Sequence, residues 1–387
     1  MLNQLGHRIL LGIDASNIRE GGGVTHLTQL ISAADPIKSR ISRVTIWGGK
    51  QLLSKVPDRA WLQKVHVPLL DKALPWRIFW QQIILPGVLR RTGCDVLFSP
   101  GGSVPMRLTI PSVTMSQNLL PFEKYERHRF GVFSWMNIKL KLVGILQRRS
   151  FRRADGVIFL SKYAKKVVSS FADIRLDALI PHGIEARFSH AVRQGFSADS
   201  YSFDQPFRLL YVSIIAEYKH QVAVAKAVAH CRSEGLPIAI DFIGPAYKSA
   251  LGELRKVVHE LDAEGQFLVY RGAVPFDELH LAYARADAFI FASSCENLPN
   301  ILLEAMSAGL PILCSNRGPM PEVLGDAGLY FDPEDIESIA VAMTKIFQEP
   351  MLREKFAAMG KQKVCNYSWE RCADETFRFI AKVASGQ

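Results

Sequence analysis

Short apolar runs rich in β-branched and aromatic residues alternate along this chain with longer segments whose apolar positions recur every three or four residues. The runs predict buried strands and the longer segments predict amphipathic helices. Strands are predicted at residues 9–13, 44–47, 96–99, 113–115, 157–161, 178–183, 207–213, 239–243, 267–270, 289–291 and 312–314. Helices are predicted near residues 250–261, 276–284, 334–347, 351–363 and 368–384. This alternation favours the α/β class, with doubly wound parallel sheets.

The periodicity fades between Ser189 and Gln205, where serine, aspartate and glycine accumulate. Because 387 residues exceed the size of one ordinary core, this stretch is predicted to link two domains. We expect an N-terminal domain at residues 1–195 and a C-terminal domain at 205–370. Residues 371–387 are predicted to form a terminal helix that packs back on the N-terminal domain.

The composition, 48% hydrophobic and 22% charged, is typical of a soluble globular protein. A membrane-spanning helix and a secretory signal are not expected, because the chain has no run of 18 apolar residues and no apolar leader. The six cysteines are scattered without a C-x-x-C pair, which fits a reducing cytosol. A net charge of +10 favours anionic partners such as nucleotides, pyrophosphates or anionic lipid. Nucleic acid is not predicted, because no recognition motif accompanies the charge.

Residues 288–315 hold a pair of carboxylates in a predicted strand–helix–strand unit. Glu296 lies in the turn after the first strand, and Glu304 lies inside the helix. This helix is predicted to open with Pro299, just past the capping candidate Asn297, and to end before Gly309. The first N–H groups of that helix point back toward the turn, so the unit can hold an anion beside both carboxylates. A ligand with phosphate at one end and hydroxyls at the other, such as a nucleotide-sugar, would match it.

Two further stretches carry candidate chemistry. Gly21, Gly22 and Gly23 separate the first strand from a helix near Thr25, so the backbone can approach a phosphate or sugar closely there, although a mobile surface turn is the alternative. Residues 127–153 contain eight lysines and arginines, no acidic residue and many interleaved apolar residues. This region is predicted either to lie on an anionic membrane surface or to be a domain helix with an apolar core face and a solvated basic face.

The setting of the two glutamates resembles the Glu-x7-Glu motif of the retaining glycosyltransferases of family 4. YARAD at residues 283–287 precedes the pair, EAMSAGLP at 304–311 completes it and GPMPEV at 318–323 follows. The resemblance is strongest from Phe207 to Trp369 and includes bacterial polysaccharide and O-antigen mannosyltransferases. It implies the GT-B architecture, in which two Rossmann-like domains face each other across a cleft, the N-terminal one binding the acceptor and the C-terminal one the nucleotide-sugar.

The resemblance also implies roles for individual residues. Glu304 would hold the ribose hydroxyls, and the catalytic pair would be Glu296, which orients the donor sugar, and Lys219, which neutralises the diphosphate. The other residues implied around the nucleotide-sugar are Asn297, Leu298, Pro299, Asn300, Ile301, Gly22, Gly23 and Gln117. The backbone N–H groups of Asn300 and Ile301 would face the phosphate.

Two positions depart from the family pattern. The arginine expected five residues before the lysine is Ile214, so a positive charge on the leaving group is missing or comes from elsewhere, with Arg271 and Arg317 as candidates. The expected histidine–aspartate pair is replaced by Gln117 and Asn118, whose amides can orient a sugar but cannot act as a base at neutral pH.

The predicted reaction is hexose transfer with retention, without a cofactor and, since the chain has no Asp-x-Asp, without a metal. The expected donor is of the GDP-mannose type, with a UDP-sugar second. The expected acceptor is a saccharide or polyprenyl-linked saccharide of cell-surface polysaccharide or lipopolysaccharide synthesis, in the cytoplasm or at the inner face of the membrane. A GT-B sugar-nucleotide epimerase, a starch- or sucrose-synthase-like enzyme and a non-catalytic sugar-nucleotide-binding partner are the alternatives.

Overall fold

The computed structural model describes residues 8–19, 21–189 and 197–386. The strands are β1 (Ile9–Asp14), β2 (Ile41–Gly48), β3 (Leu62–His66), β4 (Val96–Ser99), β5 (Ser112–Met115), β6 (Gly156–Phe159), β7 (Asp177–Leu179), β8 (Phe207–Val212), β9 (Ile238–Ile243), β10 (Leu268–Tyr270), β11 (Ala288–Phe291), β12 (Ile312–Ser315) and β13 (Leu329–Phe331). The helices are α1 (Gly22–Ala33), α2 (Lys50–Leu53), α3 (Leu74–Phe79), α4 (Leu85–Thr92), α5 (Lys124–His128), α6 (Trp135–Arg153), α7 (Lys162–Ser169), α8 (Gln221–Ser233), α9 (Lys248–Leu261), α10 (Leu279–Arg285), α11 (Asn300–Ser307), α12 (Met320–Leu324), α13 (Ile336–Gln348), α14 (Pro350–Val364) and α15 (Trp369–Ala384).

The strands form two parallel sheets, which confirms the predicted pair of doubly wound α/β folds. The order in the first sheet is β3-β2-β1-β4-β5-β6-β7, and in the second it is β10-β9-β8-β11-β12-β13. In each sheet the strand order reverses beside a central strand, between β1 and β4 and between β8 and β11. Ligands bind at such switch points, outside the carboxyl ends of the strands. The central strands are buried because helices cover both faces of a parallel sheet.

The chain divides into two compact units at positions that differ from the predicted boundaries. The first unit contains Met1–Phe122, Trp135–Gly183 and Ser368–Gln387, and the second contains Glu123–Ser134 and Ile184–Tyr367. The predicted linker lies partly on residues 190–196, outside the described residues, and its described parts belong to the second unit. The amino-acid composition suggested a boundary between Ser189 and Gln205, whereas the contacts between residues divide the two units earlier, after Gly183. Helix α15 belongs to the first unit, where Phe379 and Val383 pack over Gly156.

Three other details differ from the sequence predictions. Strands β3 and β13 were not predicted. Both lie at a sheet edge and are only partly buried; β3 has the largely polar sequence LQKVH, and β13 has only three residues. A proline inside an apolar helical segment such as residues 76–91 is expected to kink or stop the helix. Helical structure nevertheless continues through a π-helical turn at Trp80–Ile84, which places Pro86 in the first turn of α4, where its missing N–H is not needed. The basic region 127–153 is not continuous: α5 ends at His128, α6 begins at Trp135, and the two helices belong to different units.

Candidate active site

Lys219, which is buried, and Glu296, which is partly buried, form an ion pair at the switch point of the second sheet. Lys219 ends a 3-10 turn after β8, Glu296 lies in the turn after β11, and their side chains are in direct contact. The ammonium nitrogen of Lys219 also lies 5.1 Å from the ring centre of Tyr218 and 5.2 Å from that of Phe291. The two charged residues are 77 positions apart and meet because β8 and β11 are neighbouring parallel strands.

Glu304 is buried within α11 and faces a tyrosine from α10. The Tyr283 hydroxyl donates a hydrogen bond of 2.8 Å to its carboxylate. Burial raises the pKa of Glu304 to about 7, although the Tyr283 hydrogen bond and the Arg187 guanidinium act in the opposite direction. The carboxyl therefore titrates at neutral pH, and when ionised it can accept hydrogen bonds from two neighbouring hydroxyls of a sugar.

Helix α11 begins at Asn300, as the sequence pattern predicted to within a residue, but its cap differs. Pro299 is the N-cap residue in place of Asn297, and its carbonyl accepts hydrogen bonds from the N–H groups of Leu302 and Leu303. The Asn300 N–H, expected to face a phosphate, donates to the Leu298 carbonyl at 3.0 Å. Ile301 lies in the first turn of α11, where backbone N–H groups have no acceptor within the helix and point toward its N-terminal end.

The turn that contains Glu296 is held by the carboxylate of Glu126, which is far away in the sequence. Glu126, in α5, accepts a hydrogen bond from the Ser294 hydroxyl, which also lies 2.9 Å from Nε2 of His220. Arg129 joins Glu126 to Glu334 through contacts of 2.8 Å each. Burial and the Arg129 charge lower the pKa of His220 to about 4, so this imidazole is neutral at physiological pH. Sequence reasoning missed this network, because 168 positions separate Glu126 from Ser294 and no motif contains both.

The glycine loop and the predicted amide lie in the first unit. Gly22 and Gly23 are the first two residues of α1, and Gly21 caps the helix with a φ of 66°. The helix thus begins three residues earlier than expected. A Cβ atom on Gly23 would lie 3.2 Å from the amide oxygen of Gln117, so these two predicted residues are neighbours at the carboxyl edge of the first sheet.

The two arginines considered as replacements for the missing charge at Ile214 are both paired with carboxylates. Arg271, directly after β10, contacts Asp241 at 2.9 Å, and Arg317 contacts Asp332 at 2.7 Å. Both side chains are about half exposed. Arg271 lies on the same sheet edge as the ion pair, and its contact with a diphosphate stays a prediction.

Comparison with known families places most of these residues in one domain. Residues 193–363 match the family described as Glycosyl transferases group 1. The chain contains a group 1 glycosyltransferase domain. This group 1 domain includes Lys219, Glu296 and Glu304, whereas the glycine loop and Gln117 precede it.

Three similar proteins extend the comparison. The O-antigen chain mannosyltransferase B of Escherichia coli is 40% identical over 107 residues, which are 28% of this chain and 28% of that protein, so the match spans less than a third of the relative's length. The GDP-mannose-dependent alpha-(1-6)-phosphatidylinositol monomannoside mannosyltransferase of Mycobacterium tuberculosis is 24% identical over 72% of this chain and 74% of its own length. The sucrose-phosphate synthase of Thermosynechococcus elongatus, 15% identical, has a TM-score of 0.77 over 98% of this chain and 100% of that chain. This synthase and other glycosyltransferases of similar structure identify the fold of the whole chain, including the group 1 domain, as GT-B.

Proposed function

We propose that the protein is a retaining glycosyltransferase of family 4 that moves a hexose from a nucleoside-diphosphate sugar to a hydroxyl of a saccharide or lipid-linked saccharide. The observation that carries the proposal is the partly buried ion pair between Lys219 and Glu296 at the switch point of the group 1 domain. A cation and a carboxylate held side by side suit a substrate that has an anionic leaving group and a hydroxyl-bearing ring.

The proposed chemistry uses the ion pair at both ends of the breaking bond. The sugar becomes cation-like in the transition state while negative charge grows on the leaving diphosphate. Lys219 stabilises that growing charge, and because an ammonium group has three N–H donors it can contact Glu296 and a phosphate oxygen together. Glu296 then accepts hydrogen bonds from the donor sugar and fixes its orientation. The proposed reaction needs no metal, since Lys219 supplies the positive charge.

Glu304 supplies recognition rather than chemistry in this proposal. Its carboxylate accepts hydrogen bonds from the ribose hydroxyls, while the Tyr283 hydroxyl holds it in place. Its position inside α11, eight residues after Glu296, places it away from the bond that breaks. This argues against a glycosidase-like role, in which both carboxylates must flank the scissile bond.

The donor we propose first is a GDP-hexose such as GDP-mannose, and a UDP-sugar is second. The names of the two mannosyltransferase relatives support the first choice and support an acceptor in cell-surface polysaccharide or lipopolysaccharide synthesis. A polyprenyl-linked acceptor would bring the reaction to the inner face of a membrane.

A donor screen with product analysis tests the proposal. Purified protein is incubated with GDP-mannose, UDP-glucose and related donors plus saccharide acceptors, and the release of nucleoside diphosphate and the anomeric configuration of the product are measured. Lys219→Ala and Glu304→Ala should each abolish most transfer, whereas Lys355→Ala and Glu253→Ala, on exposed helix surfaces, should not. Full transfer by both site variants contradicts the assignment. A donor sugar converted without an acceptor would indicate an epimerase, and binding without turnover across the panel a non-catalytic partner.

A further inference from the structure

The carboxyl edge of the first sheet contains a polar cluster that the proposed chemistry does not use. Asp14 ends β1 at the point where the strand order reverses toward β4, and it is only 1% exposed. The Gln81 amide and the Ser99 hydroxyl both donate hydrogen bonds to its carboxylate. Burial raises the pKa of Asp14, and these hydrogen bonds act in the opposite direction. The cluster is therefore fixed at a position where α/β sheets bind ligands.

This cluster reaches the surface of the first unit through Ser103 and Asn17. The Ser103 carbonyl oxygen accepts from the Gln81 amide at 3.2 Å, and the Ser103 hydroxyl accepts from the Asn17 amide at 2.6 Å. Asn17 is exposed and Ser103 is partly buried. Because amide and hydroxyl groups both donate and accept hydrogen bonds, these two side chains suit the hydroxyl groups of a saccharide.

Two arginines, here called the arginine pair, flank the cluster. Arg77 lies in α3 and donates a hydrogen bond of 3.4 Å from Nη1 to the Ser16 carbonyl oxygen, in the loop after β1. Arg19 follows in the same loop and is exposed. Burial and the nearby charge of Arg19 lower the pKa of Arg77, so the two guanidinium groups act on each other. The Nε–H group of Arg77 is shielded from solvent and has no acceptor among the described residues.

Within the part of the chain that the structure describes, no carboxylate compensates the charge of Arg77. The charge of Arg19 acts on Asp71, but the pKa of Asp71 is lowered first by its hydrogen bond of 2.6 Å with His66. Two like charges held close together, one of them with an unmade hydrogen bond, lower the stability of the fold. A bound anion would recover that free energy. Since a guanidinium group can donate two parallel hydrogen bonds to phosphate oxygens, the anion that fits best is a phosphate ester.

We propose that the arginine pair binds the phosphate of a phosphorylated acceptor, whose sugar hydroxyls lie against Asn17 and Ser103. The acceptor class assigned in this way is a saccharide with a phosphate ester, in place of a neutral saccharide. The role of this ligand as acceptor rests on the proposed function, whereas binding of the phosphate ester does not require transfer. All residues of the site belong to the first unit.

Two kinds of acceptor carry this chemistry, a soluble sugar phosphate and a sugar joined through a diphosphate to a lipid. Binding of either needs no membrane-spanning segment, and within the described residues no helix is long and apolar enough to cross a membrane. The probes therefore include both kinds. Tighter binding of the lipid-linked compound would identify a lipid-linked source of the phosphate, and equal binding a soluble one; either result supports the site.

Calorimetric titration of the full chain tests the binding. The probes are N-acetylglucosamine 1-phosphate, the same sugar joined through a diphosphate to a geranyl chain, the neutral parent sugar, and GDP. The site variant is Arg19→Gln with Arg77→Gln. The matched control, Arg90→Gln with Arg91→Gln, removes the same charge from exposed positions of α4 in the same unit. Lys219→Ala perturbs the donor site instead. Arg19→Gln alone is a second site variant, because this exposed side chain can be replaced without unfolding the protein.

The wild type should bind the sugar phosphate, and the parent sugar should bind at least about tenfold more weakly, since one charge-assisted hydrogen bond contributes about 10- to 150-fold in affinity. The site variant should lose about 100-fold in affinity for the sugar phosphate, Arg19→Gln alone about tenfold, and the control should match the wild type. The affinity for GDP should be unchanged in the site variant. Lys219→Ala should show the reverse, with weaker binding of GDP and unchanged binding of the sugar phosphate.

Three binding results overturn the proposal. They are the absence of wild-type binding to both phosphorylated probes, binding that neither site variant weakens, and a loss of GDP affinity in the site variant equal to that in Lys219→Ala, which would assign the arginine pair to the donor. Transfer from a labelled donor is measured separately. If no acceptor is glycosylated while the arginine pair still binds the sugar phosphate, the proposed function fails and the phosphate site stands. Equally efficient transfer to the neutral and the phosphorylated sugar overturns the acceptor assignment.

Discussion

Replacing Glu304 by glutamine should make the protein more stable at alkaline pH and a weaker binder of its donor. In the unfolded chain this carboxyl ionises near pH 4.5, and in the folded protein burial raises its pKa to about 7. Between these values the folded state keeps a proton that the unfolded state has lost, so stability falls as pH rises through this window. Relative to low pH, where the carboxyl is protonated in both states, the free energy of unfolding is lower by about 1 kcal/mol at pH 5 and by about 3 kcal/mol at pH 8.

Glutamine carries no charge, so Glu304→Gln avoids that loss while its amide oxygen still accepts the Tyr283 hydrogen bond. The variant should therefore exceed the wild type in free energy of unfolding by about 2 kcal/mol more at pH 8 than at pH 5. The same change removes a charged acceptor from the ribose, which should weaken donor binding by about 10- to 150-fold.

Urea denaturation at pH 5 and pH 8 measures the first effect, and calorimetric titration with the donor measures the second. Glu253→Gln, an exposed glutamate on α9, is the matched control and should change neither quantity. A difference between variant and wild type that is equal at both pH values would refute the reasoning, because it would mean that the Glu304 carboxyl ionises alike in the folded and unfolded states.

The site and the fold give four further predictions. Lys219→Met and Glu296→Gln should each destabilise the protein by about 3 kcal/mol, because each removes the partner of a charge that is buried or partly buried. In a denaturation cycle the double variant should cost clearly less than the sum of the two single variants, and simple additivity would contradict the ion pair. Glu126→Ala should lower kcat about tenfold by releasing the turn after β11. Glu126→Gln, whose amide oxygen still accepts from the Ser294 hydroxyl, should retain most of the wild-type kcat, and an equal loss of kcat in both variants would contradict a role of Glu126 in positioning this turn. EDTA should leave transfer unchanged, and loss of activity that magnesium restores would contradict a metal-independent reaction. Gly156→Ala should destabilise the first unit by about 1–3 kcal/mol, since a Cβ there would lie 2.8 Å from Phe379. An unchanged melting temperature would mean that α15 can shift to accommodate the added methyl group.

Much of the local structure could be predicted from contiguous sequence. The buried strands appear as short apolar runs because both faces of a parallel sheet are covered. Residues 288–315 could be assigned as strand, turn and helix, with both glutamates in the right elements, because Pro299 and Gly309 mark the helix ends by their backbone preferences. The edge strands β3 and β13 were missed, since their neighbours in the sheet stabilise them more than their own composition does.

Only the tertiary structure decided which distant residues meet and which faces are buried. Strand order brings Lys219 to Glu296, and the packing of residues 123–134 on the second unit brings Glu126 to Ser294; neither contact has a sequence spacing that predicts it. Periodicity in 135–153 shows where apolar side chains lie around a helix, but whether they face core or solvent depends on what packs beside α6. The sequence alone therefore determined most of the elements and the residue types of the site. The fold determined how those residues pair, because contact energies between distant segments exist only once the sheets have formed.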